Sequence, residues 1–377
     1  MRRQRSFLAA VAVSALVLLS SVSSAVALPS NFWGVVPQGT LSVEQMERLK
    51  RGGVTTIRVP ISWAGVQRTS GGPYDFSGVD AVVATAAAAR VNVLPFVFSA
   101  PPWAVPQEVV DRRHGASAPR TLPVRTGAQR AAWSAFVSAT VARYGPNGSF
   151  WAENPALAPR PMRTWQIWNE PNFMYFVGRP NPRDYGKLVK ISNTAIKAVD
   201  PRAKLVLGGL FAYPKQATFK SKPRRALFAT EFLQQLYRTT PGIKSKFDAV
   251  ALHPYSTKYQ DLDVGIEAVR KTLKANRDPG VDIWITELGW SSGRPSAANG
   301  FNSYEKGPSG QAKQLKGAYT MLLKHRVKWR IKSIFWYSVD DNAAICNFCD
   351  GSGLFGPGFA PKPSWSAFVR FTGGSVE

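Results

Sequence analysis

The run MRTWQIWNEPNF, residues 162–173, is an apolar, strand-like segment that ends on a carboxylate. That carboxylate, Glu170, stands between Asn169 and Pro171, with Trp165, Trp168 and Phe173 close by in the chain. A helix signal follows: Asn181 and Pro182 serve as N-cap and first-turn residue, and Tyr185, Leu188, Val189, Ile196 and Val199 keep one helical face. A strand that leads straight into an amphipathic helix is the repeating unit of a parallel sheet covered by helices.

The same unit recurs on both sides of it. NFWGVV (31–36) precedes SVEQMERLKRGG, where Ser42 and Gln45 form a capping box and Gly52 is the stop. TTIRVPISW (55–63) precedes an Ala-rich helix over 77–90, and VNVLPFVFS (91–99) precedes a Pro-rich loop, 100–126, and the helix GAQRAAWSAFVSATVARYG. Beyond the central unit come AKLVLGGL (203–210), FDAVALHPYS (247–256), DIWITELGWSS (282–292) and IKSIFWYSVDD (331–341), each with a helical pattern after it. Eight such units without an internal linker predict a single closed (β/α)8 TIM barrel over 28–377. An open doubly wound sheet is the weaker fit, because no Gly-rich phosphate loop follows the first strand.

The first residues read as a targeting segment. The basic start MRRQR, the apolar run FLAAVAVSALVLL and the small residues AVA ending at Ala27 have the order of a secretory signal peptide over 1–27. The apolar run is shorter than the roughly 18 residues a spanning helix needs. Export is the expectation, and with it a secreted or cell-wall-associated protein.

A formal net charge of +25 attracts polyanions. For an exported chain these are anionic wall polymers, lipid surfaces or acidic polysaccharides; no recognition module points to nucleic acid. The basic runs KSKPRR (220–225) and KHRVKWRIK (324–332) have solvated faces as their plain reading. Cys346 and Cys349 are the two cysteines, and with three scattered histidines they make a poor zinc set. A local disulfide suits an oxidising compartment better. No metal or cofactor is expected, and a monomer is.

In a (β/α)8 barrel, polar residues at the C-terminal strand ends face the active site. Arg58 late in strand two, Asn169 and Glu170 ending strand four, His253 and Tyr255 ending strand six and Glu287 ending strand seven occupy such positions. Alternation in DIWITE puts Ile283, Ile285 and Glu287 on one face, and in strand four it pairs Trp168 with Glu170 while Trp165 points away. A charge on an inward face is costly unless paired or at the wet mouth. Arg58 is a cation that keeps a carboxylate ionised, with hydrogen-bonding groups on strand six beside it. Two carboxylates at one mouth point to glycoside hydrolysis. Trp33, Trp63, Trp103, Trp168, Trp290, Trp336 and Tyr337 are aromatic surfaces on which sugar rings could stack, although packing is the commoner role for any one of them. Asp340 and Asp341 follow strand eight, with loop solvation as the plain reading, and His114 and His325 read as surface residues.

With these motifs in place, WNEPN, HPYS, TELGW and the FWY of strand eight resemble the clan A glycoside hydrolases, retaining (β/α)8 enzymes that include family 5 and family 39. The resemblance covers nearly the whole mature chain. It implies Glu170 as general acid/base and Glu287 as nucleophile. Asn169 would bind a sugar 2-hydroxyl, Tyr255 and Arg58 would hold Glu287 ionised, His253 would lie beside the acid/base, and Trp336 would floor the sugar subsite. VFSAPPW on strand three, where family 5 enzymes often carry a histidine, leans toward family 39. The expected substrate is a polysaccharide or oligosaccharide, and retention requires the carboxyl groups roughly 5 to 5.5 Å apart. The alternative is a carbohydrate-binding or wall-associated barrel without turnover, which has no need of both glutamates.

Overall fold

The structure is a computed structural model that describes residues 27–107, 118–212, 226–294, 302–344 and 348–377. Residues 1–26 of the expected 1–27 leader, the run KSKPRR, His114 and Cys346 lie outside the described residues. Eight strands form one closed barrel: β1 (Trp33–Val36), β2 (Thr56–Ser62), β3 (Asn92–Phe98), β4 (Thr164–Asn169), β5 (Lys204–Phe211), β6 (Ala249–His253), β7 (Asp282–Leu288) and β8 (Ile331–Tyr337). Each pairs in parallel with the next in the chain, and β8 closes on β1 with Trp33 opposite Ile334 and Val36 opposite Tyr337.

The principal helices follow the strands in turn: α1 (Val43–Arg51), α2 (Ser77–Ala88), α3 (Gly127–Tyr144), α4 (Pro182–Val199), α5 (Ala229–Thr239), α6 (Leu262–Ala275), α7 (Gly307–Lys324) and α8 (Pro363–Thr372). Their starts are local. The Ser42 hydroxyl accepts from the Gln45 amide while the Gln45 side chain accepts from the Ser42 amide, and Thr126 and Gln129 repeat this at α3. Asn181 caps α4 ahead of Pro182. None of the described helices is long and apolar enough to cross a membrane.

Two apolar layers result. A small inner cluster fills the lumen with Val36, Leu94, Val206, Ala249, Ala251, Trp284 and Phe335, and a large outer one packs the other strand faces against the helices. Gly34 serves the lumen by having no side chain, since a Cβ there would lie 2.2 Å from the Phe335 ring.

The inner layer corrects the alternation expected on two strands. On β7, Ile283 and Ile285 belong to the outer layer and Trp284 to the lumen. Glu287 reaches the mouth because the pairing of β7 with β8 shifts register between Ile285 and Leu288. On β4, Trp168 does not share a face with Glu170. It adopts a left-handed backbone (φ 68°), which turns its ring outward against Trp133 and Phe98 while Gln166 and Asn169 face Arg58 in the lumen. Arg58 is also not late in its strand: it is the third residue of β2, and the reach of its long side chain brings the guanidinium to the mouth.

Cys349 is buried and disulfide-bonded, in line with the loop-pinning disulfide expected for it.

Candidate active site

The Arg58 guanidinium organises the centre. It is 1% exposed, lies over the Phe96 ring at 4.1 Å, and donates to three partners: Nη1 to Glu287 Oε1 (2.7 Å), Nη2 to Asn169 Oδ1 (2.6 Å) and Nε to Gln166 Oε1 (3.0 Å). The planar fork thereby fixes a carboxylate, an amide and a second amide at once. Because Asn169 accepts from arginine through its oxygen, its NH2 is the half left to donate to a ligand.

The two glutamates have different surroundings. Glu287 is held at both oxygens, by Arg58 at Oε1 and by the Tyr255 hydroxyl at Oε2 (2.9 Å). Burial raises its carboxyl above the ordinary value, with Arg58 and the Tyr255 hydrogen bond opposing it. Glu170 contacts His253 Nδ1 through Oε1 (2.8 Å) and touches no cation. Burial and the nearby Glu287 charge raise its carboxyl well above the usual range, with Arg58 opposing only from a distance. Burial, and then Arg58, depresses His253 well below its ordinary value, so the imidazole is neutral. Its Nε2 meets Thr286 Oγ1 at 3.0 Å, which orients the ring. Burial and Glu287 likewise raise Tyr255, which stays a hydroxyl donor.

One carboxylate oxygen of Glu170, one of Glu287 and one His253 nitrogen lie within 4.8 Å of one another. This trio is also the metal-capable grouping found among the described residues. Glu287 is already engaged by Arg58 and Tyr255, and His253 is shared between Glu170 and Thr286, so the trio is organised by hydrogen bonds to neighbouring side chains.

The structure therefore brings Arg58, Asn169, Glu170, His253, Tyr255 and Glu287 together. It does not bring Trp336. That residue is 0% exposed, points into the outer layer against Trp290 and Tyr319, and donates its indole N–H to the Ser352 carbonyl. Since Phe335 and Tyr337 are on the inner face, the aromatic that reaches the mouth is Tyr337, stacked on Phe348 and edge-on to Tyr255. Trp33, Trp63, Trp168 and Trp290 are buried packing residues, and Trp103 is half-buried, edge-on to Trp63. Asp341 is not a solvated loop residue, because it is ion-paired with Lys362 at 2.7 Å.

Sequence reasoning passed over four contributors. Gln166 and Thr286 are polar residues inside apolar strands, a signal that was legible. Gly209 was not: a Cβ there would lie 2.0 Å from His253 Nε2, so only glycine leaves the ring its place. Asn172 donates to the carbonyls of Phe211 and Leu227 and accepts from the Phe211 amide, tying the loop after Glu170 to the end of β5.

A family model described as the glycosyl hydrolase catalytic core matches residues 162–354, from the entry of β4 to beyond β8 and over more than half of the chain. The chain belongs to this family. It is 25% identical over 232 residues to a beta-xylosidase of Geobacillus stearothermophilus, a match covering 56% of this chain and 41% of that relative's length. The fold is similar to that of a family 39 glycoside hydrolase from Bacteroides cellulosilyticus (TM-score 0.65, 21% identity, 92% of this chain and 64% of that one). It is also similar to that of a monomeric beta-xylosidase from Caulobacter crescentus (TM-score 0.61, 19% identity, 90% and 67%). The barrel is thus similar in fold to these glycoside hydrolases.

Proposed function

We propose that the protein is a secreted glycosidase that cleaves β-linked oligosaccharides or polysaccharides with retention of anomeric configuration. The observation that carries this reading is the close carboxyl pair with unlike partners: Glu287 on a guanidinium and a phenol, Glu170 on a neutral imidazole. Environments that push two acids apart assign two roles.

Glu287, the group with the cation, is ionised and attacks the anomeric carbon. Glu170, buried away from positive charge, keeps its proton and gives it to the glycosidic oxygen as the bond to the leaving group breaks. A covalent glycosyl-enzyme forms. Glu170, now a carboxylate, takes a proton from water as that water attacks the same carbon and releases Glu287. Of the two Glu170 oxygens His253 is bonded to Oε1, which leaves Oε2 to exchange the proton. The Asn169 amide donates to the 2-hydroxyl of the sugar, and Tyr337 supplies an aromatic wall.

The beta-xylosidase relatives make β-xylosides the first substrates to test, and a monomer the working assembly. The leader-like start supports secretion. A binding barrel without turnover has no use for two buried acids facing one mouth.

The test uses an aryl β-xyloside and a panel of aryl β-glycosides. Glu170→Ala and Glu287→Ala are each expected to lower kcat by at least about 10²–10⁴, the range of a lost acid/base group. Azide should restore turnover partly, giving the α-glycosyl azide with Glu287→Ala and the β-azide with Glu170→Ala. Turnover near the wild-type rate in either variant would refute the assignment.

A further inference from the structure

From Lys306 to Val339 the sequence has eight lysines and arginines and no carboxylate side chain. Much of this charge lies on α7, where Lys313, Gly317, Thr320 and Lys324 recur at helical spacing along one face and Lys316 lies beside it. That face is one wall of a groove of about 500 Å³, lined by Tyr259, Lys313, Lys316, Gly317, Thr320, Met321, Lys324 and His325. The other wall is the turn after β6. The Tyr259 ring lies so close over Gly317 that a Cβ there would be 2.4 Å from it, and the Tyr259 amide donates to Gln314.

Lys313, Lys316 and Lys324 are exposed, and no carboxylate of the described residues is paired with them, whereas Lys328 just beyond is neutralised by Glu267. Three like charges around one concavity repel each other and lower the free energy of any anion that enters. A groove of this size is in the range that takes a ligand of a few rings. A lysine cluster alone would take any anion. An aromatic ring in the wall adds an apolar surface suited to the face of a pyranose.

We propose that this groove is a second carbohydrate site, outside the catalytic mouth, which holds an acidic polysaccharide by pairing its ring carboxylates with Lys313, Lys316 and Lys324 and packing a sugar face on Tyr259. It would retain the enzyme on a charged polymer while the mouth works on a neighbouring chain.

The test is binding of the purified full chain to polygalacturonate at moderate salt, with aryl-glycoside hydrolysis measured in parallel. Replacing Lys313, Lys316 and Lys324 together by Gln should weaken binding at least tenfold and leave kcat/KM on the aryl glycoside unchanged. A control that removes the same charge from the exposed Lys204, Lys244 and Lys274 should weaken it less than twofold. Tyr259→Ala should weaken polygalacturonate binding but not binding of inorganic polyphosphate. Equal losses in the two triple variants, an unaffected groove variant, or no binding by the wild type would each overturn the proposal, whatever the outcome at Glu170 and Glu287.

Discussion

At the scale of single residues, Glu170 carries the main cost of the site. Its carboxyl is raised well above the ordinary 4.5 by burial and by Glu287. A carboxyl with a raised folded-state value stabilises the fold fully below about 4.5 and loses that contribution as pH rises through the folded value, because the unfolded chain ionises first. Each unit of displacement is worth about 1.4 kcal/mol. Glu170→Gln, which stays neutral and can still accept from His253, should therefore melt higher than the wild type at pH 7, by roughly 3 °C or more. The gap should close near pH 4. A variant that melts lower at pH 7, or keeps its advantage at pH 4, would contradict this account of the charge.

At the scale of elements, strand ends decide which side chains meet the substrate. On β8 the inner positions are Phe335 and Tyr337, and Trp336 belongs to the packing between barrel and helices. Trp336→Phe should lower stability by about 1–3 kcal/mol, a usual cost of a reshaped core, with KM for an aryl glycoside within twofold of wild type. Tyr337→Ala should raise KM tenfold or more. The opposite pattern would return Trp336 to the subsite. The assignment of elements themselves was legible from the chain, since caps and apolar runs are local. The facing of β4 and β7 was not. A left-handed Trp168 and a shifted register on β7 are imposed by neighbouring strands, and both fall where the glutamates must turn into the mouth.

At the scale of the whole molecule, the barrel is completed from the C-terminal side. Trp365 of α8 stacks on Phe368, packs on Phe355 and donates to the Val376 carbonyl; a Cβ on Gly52 would lie 2.0 Å from its ring. Phe368 in turn meets Trp33 of β1 and Tyr319 of α7, so this helix braces the closure of β8 on β1. Trp365→Ala should cost about 3–5 kcal/mol and lower Tm by roughly 10 °C. Turnover per folded molecule at 25 °C should be unchanged, as the ring touches no site residue. A calorimetric Tm within two degrees of wild type would show that α8 is dispensable to closure.

By itself the amino-acid sequence determined the eightfold alternation, the helix starts, and the strands that carry Arg58, Asn169, Glu170, His253, Tyr255 and Glu287. These follow from interactions over a few residues: capping, side-chain periodicity, and the cost of a charge in an apolar run. Only the tertiary structure decided that Arg58 grips Glu287, Asn169 and Gln166 at once, that Gly209 and Thr286 seat His253, and that Tyr337 rather than Trp336 meets the mouth. Each of those depends on the register between strands far apart in the chain, and a shift of one residue in register exchanges the lumen for the helix layer.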